Sequence, residues 1–152
     1  MRVFFDTSAL AKLFVPEAGT DEMNAMLAQD GMEIWVSALA PLEFHSLAWR
    51  RNREGTLDAA RVTALLDALD ALDEQLHEWQ VIGLTPSVLQ SARELLAEHA
   101  GQHGLRTLDA LQLASFSALL EDGPATFGCA DTRLCAVAAL RGHATFNPVA
   151  AR

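Results

Sequence analysis

The stretch Val3-Phe4-Phe5-Asp6-Thr7-Ser8-Ala9-Leu10 decides the fold. Its first three residues form a short, continuous run of β-branched and aromatic side chains, which is typical of a strand buried on both faces. The run stops at Asp6, and hydrophobic residues then recur at helical spacing from Leu10 onwards. In parallel α/β sheets, ligands bind outside the carboxyl ends of the strands. Asp6 is therefore a candidate for metal or substrate chemistry, and a cap on the following helix is the alternative.

Composition narrows the class of protein. A chain of 152 residues with 51% hydrophobic residues can bury one substantial core, so we predict a single domain over residues 1–152. The formal net charge of −9 argues against a protein that binds nucleic acid through bulk charge. The sequence contains no stretch typical of a signal peptide or a membrane span, so a cytoplasmic location is expected. Cys129 and Cys135 match no metal spacing and are predicted to be buried, reduced thiols.

Strand and helix patterns alternate along the rest of the chain. Further strands are predicted at residues 33–36, 81–84 and 125–129, and residues 143–146 form a short edge strand. Helical patterns fill the intervals between them. Such alternation favours a parallel sheet with helices on both faces.

The predicted helix over residues 55–78 carries a leucine-rich seam with spacings of four and three residues. Burial in the core is the default interpretation of this seam, and a dimer or partner-protein surface is the alternative. The seam comprises Leu65, Leu69, Leu72, Leu76 and Trp79.

Three further acids occur at unusual positions. Glu43 interrupts an apolar helical stripe, Asp109 heads a stripe that should face the core, and Asp131 follows the fourth strand. Taken singly, a salt bridge, the helix dipole and a helix cap would explain them. Taken together with Asp6, they are expected to converge on one cleft beyond the carboxyl edge of a parallel sheet.

Carboxylates so close together resist simultaneous ionisation unless a cation neutralises them. Oxygen ligands without histidine or thiolate favour Mg²⁺ or Mn²⁺ over zinc, and such ions can activate water for attack on phosphorus. Several basic or hydroxyl residues near these acids are candidates for substrate binding, although some of the basic ones could simply be solvated or paired. These candidates are Ser8, Lys12, Arg50, Arg51, Arg106 and Arg133.

Four motifs, taken in order, resemble those of the PIN-domain nucleases, and most of all the VapC-type toxins of bacterial type II toxin–antitoxin pairs. They are Asp6-Thr7-Ser8-Ala9-Leu10, Pro41-Leu42-Glu43, Thr107-Leu108-Asp109-Ala110 and Ala130-Asp131-Thr132-Arg133-Leu134. No single motif is specific, but the ordered set is, and it extends over essentially the whole chain.

This resemblance implies a three-layer α/β/α sandwich around a parallel sheet of about five strands. It also implies a Mg²⁺-dependent endoribonuclease that cuts RNA without a covalent nucleophile, a cognate VapB-like antitoxin and a homodimer. Position by position, the acidic quartet corresponds to Asp6, Glu43, Asp109 and Asp131. Asp6 and Asp109 are the firmest metal ligands by this analogy, and Ser8 or Thr7 would donate a hydrogen bond to Asp6.

Other functions remain open at this point. The chain could be a catalytically silent binding module of the same fold, or a metal-dependent nuclease that acts on DNA. A phosphatase with Asp6 as its nucleophile is disfavoured, because Ser8 stands where the haloacid-dehalogenase pattern requires an acid. The sequence does not specify which RNA would be cut.

Overall fold

Five parallel strands form the central sheet, in the order β3-β2-β1-β4-β5. The computed structural model describes residues 1–75 and 79–150, with the side chains of residues 70–75 excluded. The strands are β1 (Arg2–Phe5), β2 (Glu33–Ser37), β3 (Trp79–Ile82), β4 (Thr126–Gly128) and β5 (Thr145–Phe146).

Seven helices connect and flank these strands within the described residues. They are α1 (Thr7–Leu10), which a 3₁₀ turn over Ala11–Leu13 extends, α2 (Thr20–Leu27), α3 (Ala40–Arg53), α4 (Ala59–Gln75), α5 (Pro86–His103), α6 (Thr107–Leu120) and α7 (Thr132–Leu140). Helices cover both faces of the sheet, which confirms the predicted three-layer α/β/α sandwich with a parallel sheet.

The alternation of side chains along β1 explains why both faces need cover. Phe4 packs on one face, in the cluster formed with α5, α6 and α7, and its ring lies 5.9 Å from that of Phe127. Val3 and Phe5 point to the other face, where they meet Met23 of α2. All three of these apolar side chains are fully buried, as the apolar run predicts.

Helices α3 and α4 pack on each other in a separate apolar cluster. Phe44 and Ala48 of α3 meet Val62, Leu65 and Leu69 of α4, and all five are buried. The core interpretation of the leucine seam therefore holds for its first two members.

The last residue of the seam does not continue the helical stripe. Trp79 was expected to extend it, but the residue opens β3, where it pairs with Ile34. This prediction was wrong because helix and strand periods cannot be separated at the end of a short apolar run. The Leu72 side chain and all of Leu76 lie outside the described part of the chain.

The structure defines where three of the elements begin. Thr20 begins α2 and Gly19 caps it, because a φ of 94° at residue 19 requires the left-handed region that glycine tolerates. Thr107 is likewise the first residue of α6, and Arg106 is its cap. Strand β3 begins two residues earlier than the predicted Val81.

The strand order reverses between β1 and β4. The chain proceeds from β1 to β2 and β3 on one side, then returns to place β4 on the other. Such a switch point opens a crevice at the carboxyl ends of the strands. A Cβ atom at Gly128 would lie 2.4 Å from the Phe5 ring, so glycine permits the close approach of β4 to β1. The acids that follow these two strands, Asp6 and Asp131, are thereby brought to the same crevice.

Two smaller predictions can be compared with the structure. Cys129 and Cys135 are buried and free, as expected. Among the described residues, the helices are too short or too polar to cross a lipid bilayer.

Candidate active site

A cleft of about 380 Å³ lies at the carboxyl edge of the sheet, and the four predicted acids all line it. They come from different elements: Asp6 from the end of β1, Glu43 from α3, Asp109 from α6 and Asp131 from the cap of α7. Folding therefore gathers carboxylates that are far apart along the chain.

Asp6 is fixed by the turn between β1 and α1. Its backbone N–H donates to the Gly128 carbonyl at 2.9 Å, which ties the end of β1 to β4. Its carboxylate caps α1 by accepting from the Ala9 N–H at 2.9 Å, and the Ser8 hydroxyl lies 2.8 Å from both carboxylate oxygens. The Asp6 side chain is thus both the cap of α1 and the candidate metal ligand.

The Asp6 carboxyl group is buried, with 5% of the residue exposed. Burial, with a smaller contribution from the charge of Glu43, raises its pKa from 3.8 to about 7, although hydrogen bonds from Ala9 and Ser8 oppose the shift. Desolvation disfavours the ionised form of a carboxyl group that has no cation beside it. A cation in the cleft would restore the charge on Asp6.

The hydroxyl of Ser8 also joins the two strand ends. Its oxygen accepts from the backbone N–H groups of Ala130 at 2.9 Å and Asp131 at 3.2 Å. Ser8 was a candidate substrate contact, but these bonds engage its hydroxyl in positioning Asp6 against the segment that follows β4. The alternative expectation, a hydrogen bond from Ser8 to the first carboxylate, matches the structure.

Glu43 is held by uncharged donors. The Thr7 hydroxyl donates to its Oε2 at 2.8 Å, and Gln112 Nε2 donates to the same oxygen and, at 3.1 Å, to Thr7 Oγ1. Gln112 is 2% exposed, and its own Oε1 is buried without a hydrogen-bond partner. Among the described residues Glu43 makes no salt bridge, so the simple ion-pair explanation of this acid fails.

Asp109 and Asp131 have arginine partners instead. Arg106 Nε lies 3.0 Å from Asp109 Oδ2, and Arg106 Nη2 lies 3.2 Å from Asp131 Oδ2. Arg133 Nη2 approaches the same two oxygens at 3.7 and 3.6 Å. The hydrogen bond with Asp109 raises the pKa of the Arg106 guanidinium, and the charges of Asp109, Asp131 and Glu43 raise it further.

Two of the predicted substrate-binding cations lie elsewhere. Lys12 Nζ bonds Glu17 Oε1 at 3.0 Å, and Arg51 Nη2 bonds Glu17 Oε2 at 2.7 Å. Neither residue lines the cleft, because Lys12 is buried and the Arg51 guanidinium is committed to Glu17. Their role is a structural ion pair, and the interpretation as phosphate contacts is corrected accordingly. Arg50, Arg106 and Arg133 stay at or beside the cleft.

The cleft fits a hard divalent cation in its donor chemistry, because carboxylate oxygens line it without histidine or thiolate. The buried Asp6 carboxyl group, whose charge burial disfavours, is where such an ion would help most. In residues 1–75 and 79–150, however, no three His, Cys, Asp or Glu side chains are close enough as placed to hold an ion. A cation, Arg106, already bridges two of the acids. Binding of such an ion would therefore require these side chains to rearrange.

Sequence reasoning missed Gln112 and the role of Thr7. A signal existed for Gln112, because it is a polar residue between Leu111 and Leu113, one helical turn after Asp109. No such signal existed for Thr7: the family resemblance implied a hydrogen bond from Ser8 or Thr7 to Asp6, whereas the Thr7 hydroxyl reaches Glu43 on another helix.

Known proteins can now be compared with this fold and cleft. The sequence model of the PIN domain matches residues 3–140. The chain is 33% identical over 153 residues to ribonuclease VapC47 of Mycobacterium tuberculosis (strain CDC 1551 / Oshkosh), covering 99% of each protein.

Solved structures share the fold at lower identity. The structure of FitAcB from Neisseria gonorrhoeae matches with a TM-score of 0.65 and 19% identity, over 97% of this chain and 98% of that one. VapBC2 from Rickettsia felis, solved bound to a DNA fragment from its promoter, matches with a TM-score of 0.62 and 15% identity, over 97% and 98%. The family match and the near full-length relative establish the kinship: this chain belongs to the PIN-domain family, as a VapC-type member.

Proposed function

We propose that the chain is a metal-dependent endoribonuclease and the toxin of a type II toxin–antitoxin pair. The observation that carries this proposal is the convergence of Asp6, Glu43, Asp109 and Asp131 on one cleft at the switch point of the sheet. Isolated caps and surface salt bridges would not require four acids from separate elements to share one cavity. Phosphodiester hydrolysis is a chemistry that oxygen-rich, acidic clefts support when divalent cations are available.

The residues that would hold Mg²⁺, or Mn²⁺, are Asp6 and Asp109, with Glu43 and Asp131 completing the site. When bound, such an ion would supply charge neutralisation and activation of water for attack on phosphorus. The residues of the chain prepare the cleft for that chemistry. Ser8 and the Ala9 N–H orient the Asp6 carboxylate, and the Thr7 and Gln112 donors orient Glu43.

The RNA backbone would be bound by cations at the cleft. Arg50 lines it and is largely exposed, and its contact with Glu54 is only a 4.0 Å approach at the surface. Arg133 lies at the outer side, within 3.7 Å of Asp109. Because the chain as a whole is acidic, such local cations would have to provide the attraction for phosphate.

Covalent catalysis is not part of the proposal. The Ser8 hydroxyl is occupied by Asp6 and two backbone N–H groups, and the Thr7 hydroxyl is directed at Glu43. Cys129 is fully buried, and its hydrogen bond with Cys135, together with burial, raises the pKa of its thiol. A thiol that is neither exposed nor ionised is a poor nucleophile.

The substrate and the partner are proposed from the relatives. The 33%-identical protein of Mycobacterium tuberculosis bears the name ribonuclease VapC47, which favours RNA over DNA as the substrate. Its near full-length match supports a similar role here, with a VapB-like antitoxin as partner. This role predicts a small antitoxin reading frame directly beside the gene, and a homodimer is part of the same proposal.

A catalytically silent binding module is the second candidate, and one observation favours it. Arg106 occupies the space between Asp109 and Asp131, and no three potential ligands in the described part of the chain stand ready for a metal ion. The two candidates differ in what happens to RNA when Mg²⁺ is supplied.

Cleavage of a structured RNA pool by purified protein tests the proposal. We expect cleavage with Mg²⁺ and none with EDTA. The cleavage rate of the Asp6→Asn variant should be at least about a thousandfold lower, since Asp6 would hold the ion that activates water. Asp30→Asn removes the same charge from an exposed turn and should retain the parent rate. Equal rates for Asp6→Asn and the parent, or cleavage undiminished in EDTA, would refute the assignment.

A further inference from the structure

Arg106 stands at the amino end of α6, between two acids of the cleft. Its Nε lies 3.0 Å from Asp109 Oδ2, its Nη2 lies 3.3 Å from Asp109 Oδ1, and the same Nη2 lies 3.2 Å from Asp131 Oδ2. The guanidinium thus engages both oxygens of one carboxylate and one oxygen of the other. Such forked, charge-assisted contacts are the geometry that arginine favours with carboxylates.

The guanidinium is nevertheless free to leave. The Arg106 side chain is 63% exposed, whereas the Asp109 side chain that it contacts is only 12% exposed. The backbone, not the guanidinium, supplies the structural cap, because the Arg106 N–H donates to Asp109 Oδ2 at 3.2 Å. Moving the side chain into water would therefore leave the start of α6 in place.

No other cation in the described residues contacts these acids as closely. Arg133 lies 3.6 Å or more from both carboxylates. Arg50 lines the same cleft but makes its ion pair with Glu54 instead. Asp6 and Glu43 have only uncharged donors. Among the described residues, Arg106 is consequently the cation that most closely engages the acids that the proposed metal site also needs.

We propose that Arg106 is an internal counter-cation that competes with the divalent ion for Asp109 and Asp131. This inference rests on the proposed metal-dependent function. The guanidinium contacts both oxygens of Asp109 and one oxygen of Asp131, and its positive charge would repel an incoming cation, so metal binding displaces the Arg106 side chain. Arg106 thereby holds the metal-free cleft together and lowers its apparent affinity for metal. A ligand that binds only a sparsely populated conformation of its site has a reduced apparent affinity.

Titration calorimetry with Mn²⁺ on the full chain tests the competition. Arg106→Gln should bind Mn²⁺ about threefold to tenfold more tightly than the parent, because removing an ion pair of modest strength releases both acids. Arg106→Lys keeps the charge and loses the fork, and should fall between the two. Arg50→Gln is the matched control: it removes one positive charge from the same cleft without freeing either acid, and should change the affinity less than twofold.

Each outcome bears on one of the two proposals. If Arg106→Gln binds Mn²⁺ no more tightly than the parent, or if Arg50→Gln tightens binding equally, competition by Arg106 is wrong while the metal site stands. If the parent shows no Mn²⁺ binding that Asp6→Asn abolishes, the proposed metal-dependent function fails, and the competition fails with it.

A measurement on Arg106 itself complements the affinities. In the metal-free protein, the Nε–H of Arg106 should give a protected nitrogen–proton NMR signal, because it is bonded to Asp109. Addition of diamagnetic Mg²⁺ should shift this signal and accelerate its exchange with water. A signal that is unchanged at saturating Mg²⁺ would contradict displacement.

Discussion

The inner and outer halves of the cleft hold their acids in different ways. In the inner half, Asp6 and Glu43 accept hydrogen bonds from hydroxyl, amide and backbone N–H donors, and no cation in the described part of the chain contacts them. In the outer half, Asp109 and Asp131 share the guanidinium of Arg106. Uncharged donors orient a carboxylate but leave its charge in place, whereas a guanidinium neutralises it.

The difference indicates what each half needs from a metal ion. The inner half is arranged in advance and lacks only positive charge, which is why burial raises the pKa of Asp6 to about 7. The outer half already has positive charge and must release it. A divalent ion that binds both halves would be stabilised by the uncompensated charge of Asp6 and Glu43. It would have to compete with Arg106 for Asp109 and Asp131.

The largest expected effect concerns the inner half without metal. The pKa of Asp6 is raised from 3.8 to about 7 on folding, so the folded state binds more protons than the unfolded state between these values. Its contribution to stability is therefore fully present below pH 4 and is lost as the pH rises to 7. In EDTA at pH 8, Asp6→Asn should raise the free energy of unfolding by about 2–4 kcal/mol, measured by urea denaturation.

The matched change in the outer half should act in the opposite direction. Asp109→Asn removes one of the two carboxylates that Arg106 and Arg133 contact and should lower the free energy of unfolding by about 1 kcal/mol at most, since both arginines are well exposed and keep Asp131. If Asp6→Asn destabilises the metal-free protein at pH 8, the contrast between the halves is wrong.

An effect on catalysis, smaller than the stability effect at Asp6, is expected at Gln112. Gln112→Met keeps the side-chain volume of a buried residue and removes the amide that bonds Glu43 and Thr7. Cleavage should fall about tenfold in kcat, because Glu43 would be held by one donor instead of two. The Mg²⁺ concentration that gives half the maximal rate should rise in parallel. Gln90→Met, on the exposed face of α5, controls for the substitution itself. A kcat equal to that of the parent would show that Gln112 does not contribute to catalysis.

The smallest effect should come from outside the cleft. Glu17 bonds both Arg51 and Lys12, and although burial alone would raise its pKa, these hydrogen bonds lower it overall. The contribution of Glu17 to stability is thus present above its pKa in the unfolded state and is lost as the pH falls through its lowered pKa in the folded state. This pH dependence is the opposite of that of Asp6. Arg51→Gln should cost about 1 kcal/mol or less in urea denaturation and leave RNA cleavage unchanged. A fall in the cleavage rate of this variant would indicate that Arg51 contributes to substrate binding after all.

The fold and the positions of the acids follow from local patterns. Asp6 and Asp131 stand directly after apolar strands, and parallel pairing brings the ends of such strands to one edge. Glu43 interrupts one apolar helical stripe and Asp109 heads another, and both stripes had to face the protein interior. These positions could be predicted because each depends on residues only a few places away.

The partners of the acids could not be predicted in this way. Arg106 reaches Asp131 across 25 positions of sequence, and Gln112 reaches Glu43 across 69. Lys12 and Arg51 illustrate the same limit, because their shared contact with Glu17 depends on how the 3₁₀ turn lies against α3. Charge and proximity in sequence indicate which side chains are available, but only the packed structure determines which of them meet.

The most direct test of the shared metal site is the anomalous difference density of a crystal soaked in Mn²⁺. We predict a peak in the cleft, about 2.0–2.3 Å from carboxylate oxygens of Asp6 and Asp109, with the Arg106 side chain turned away from Asp109. A cleft without such a peak at saturating Mn²⁺, with Arg106 still bridging Asp109 and Asp131, would contradict the account.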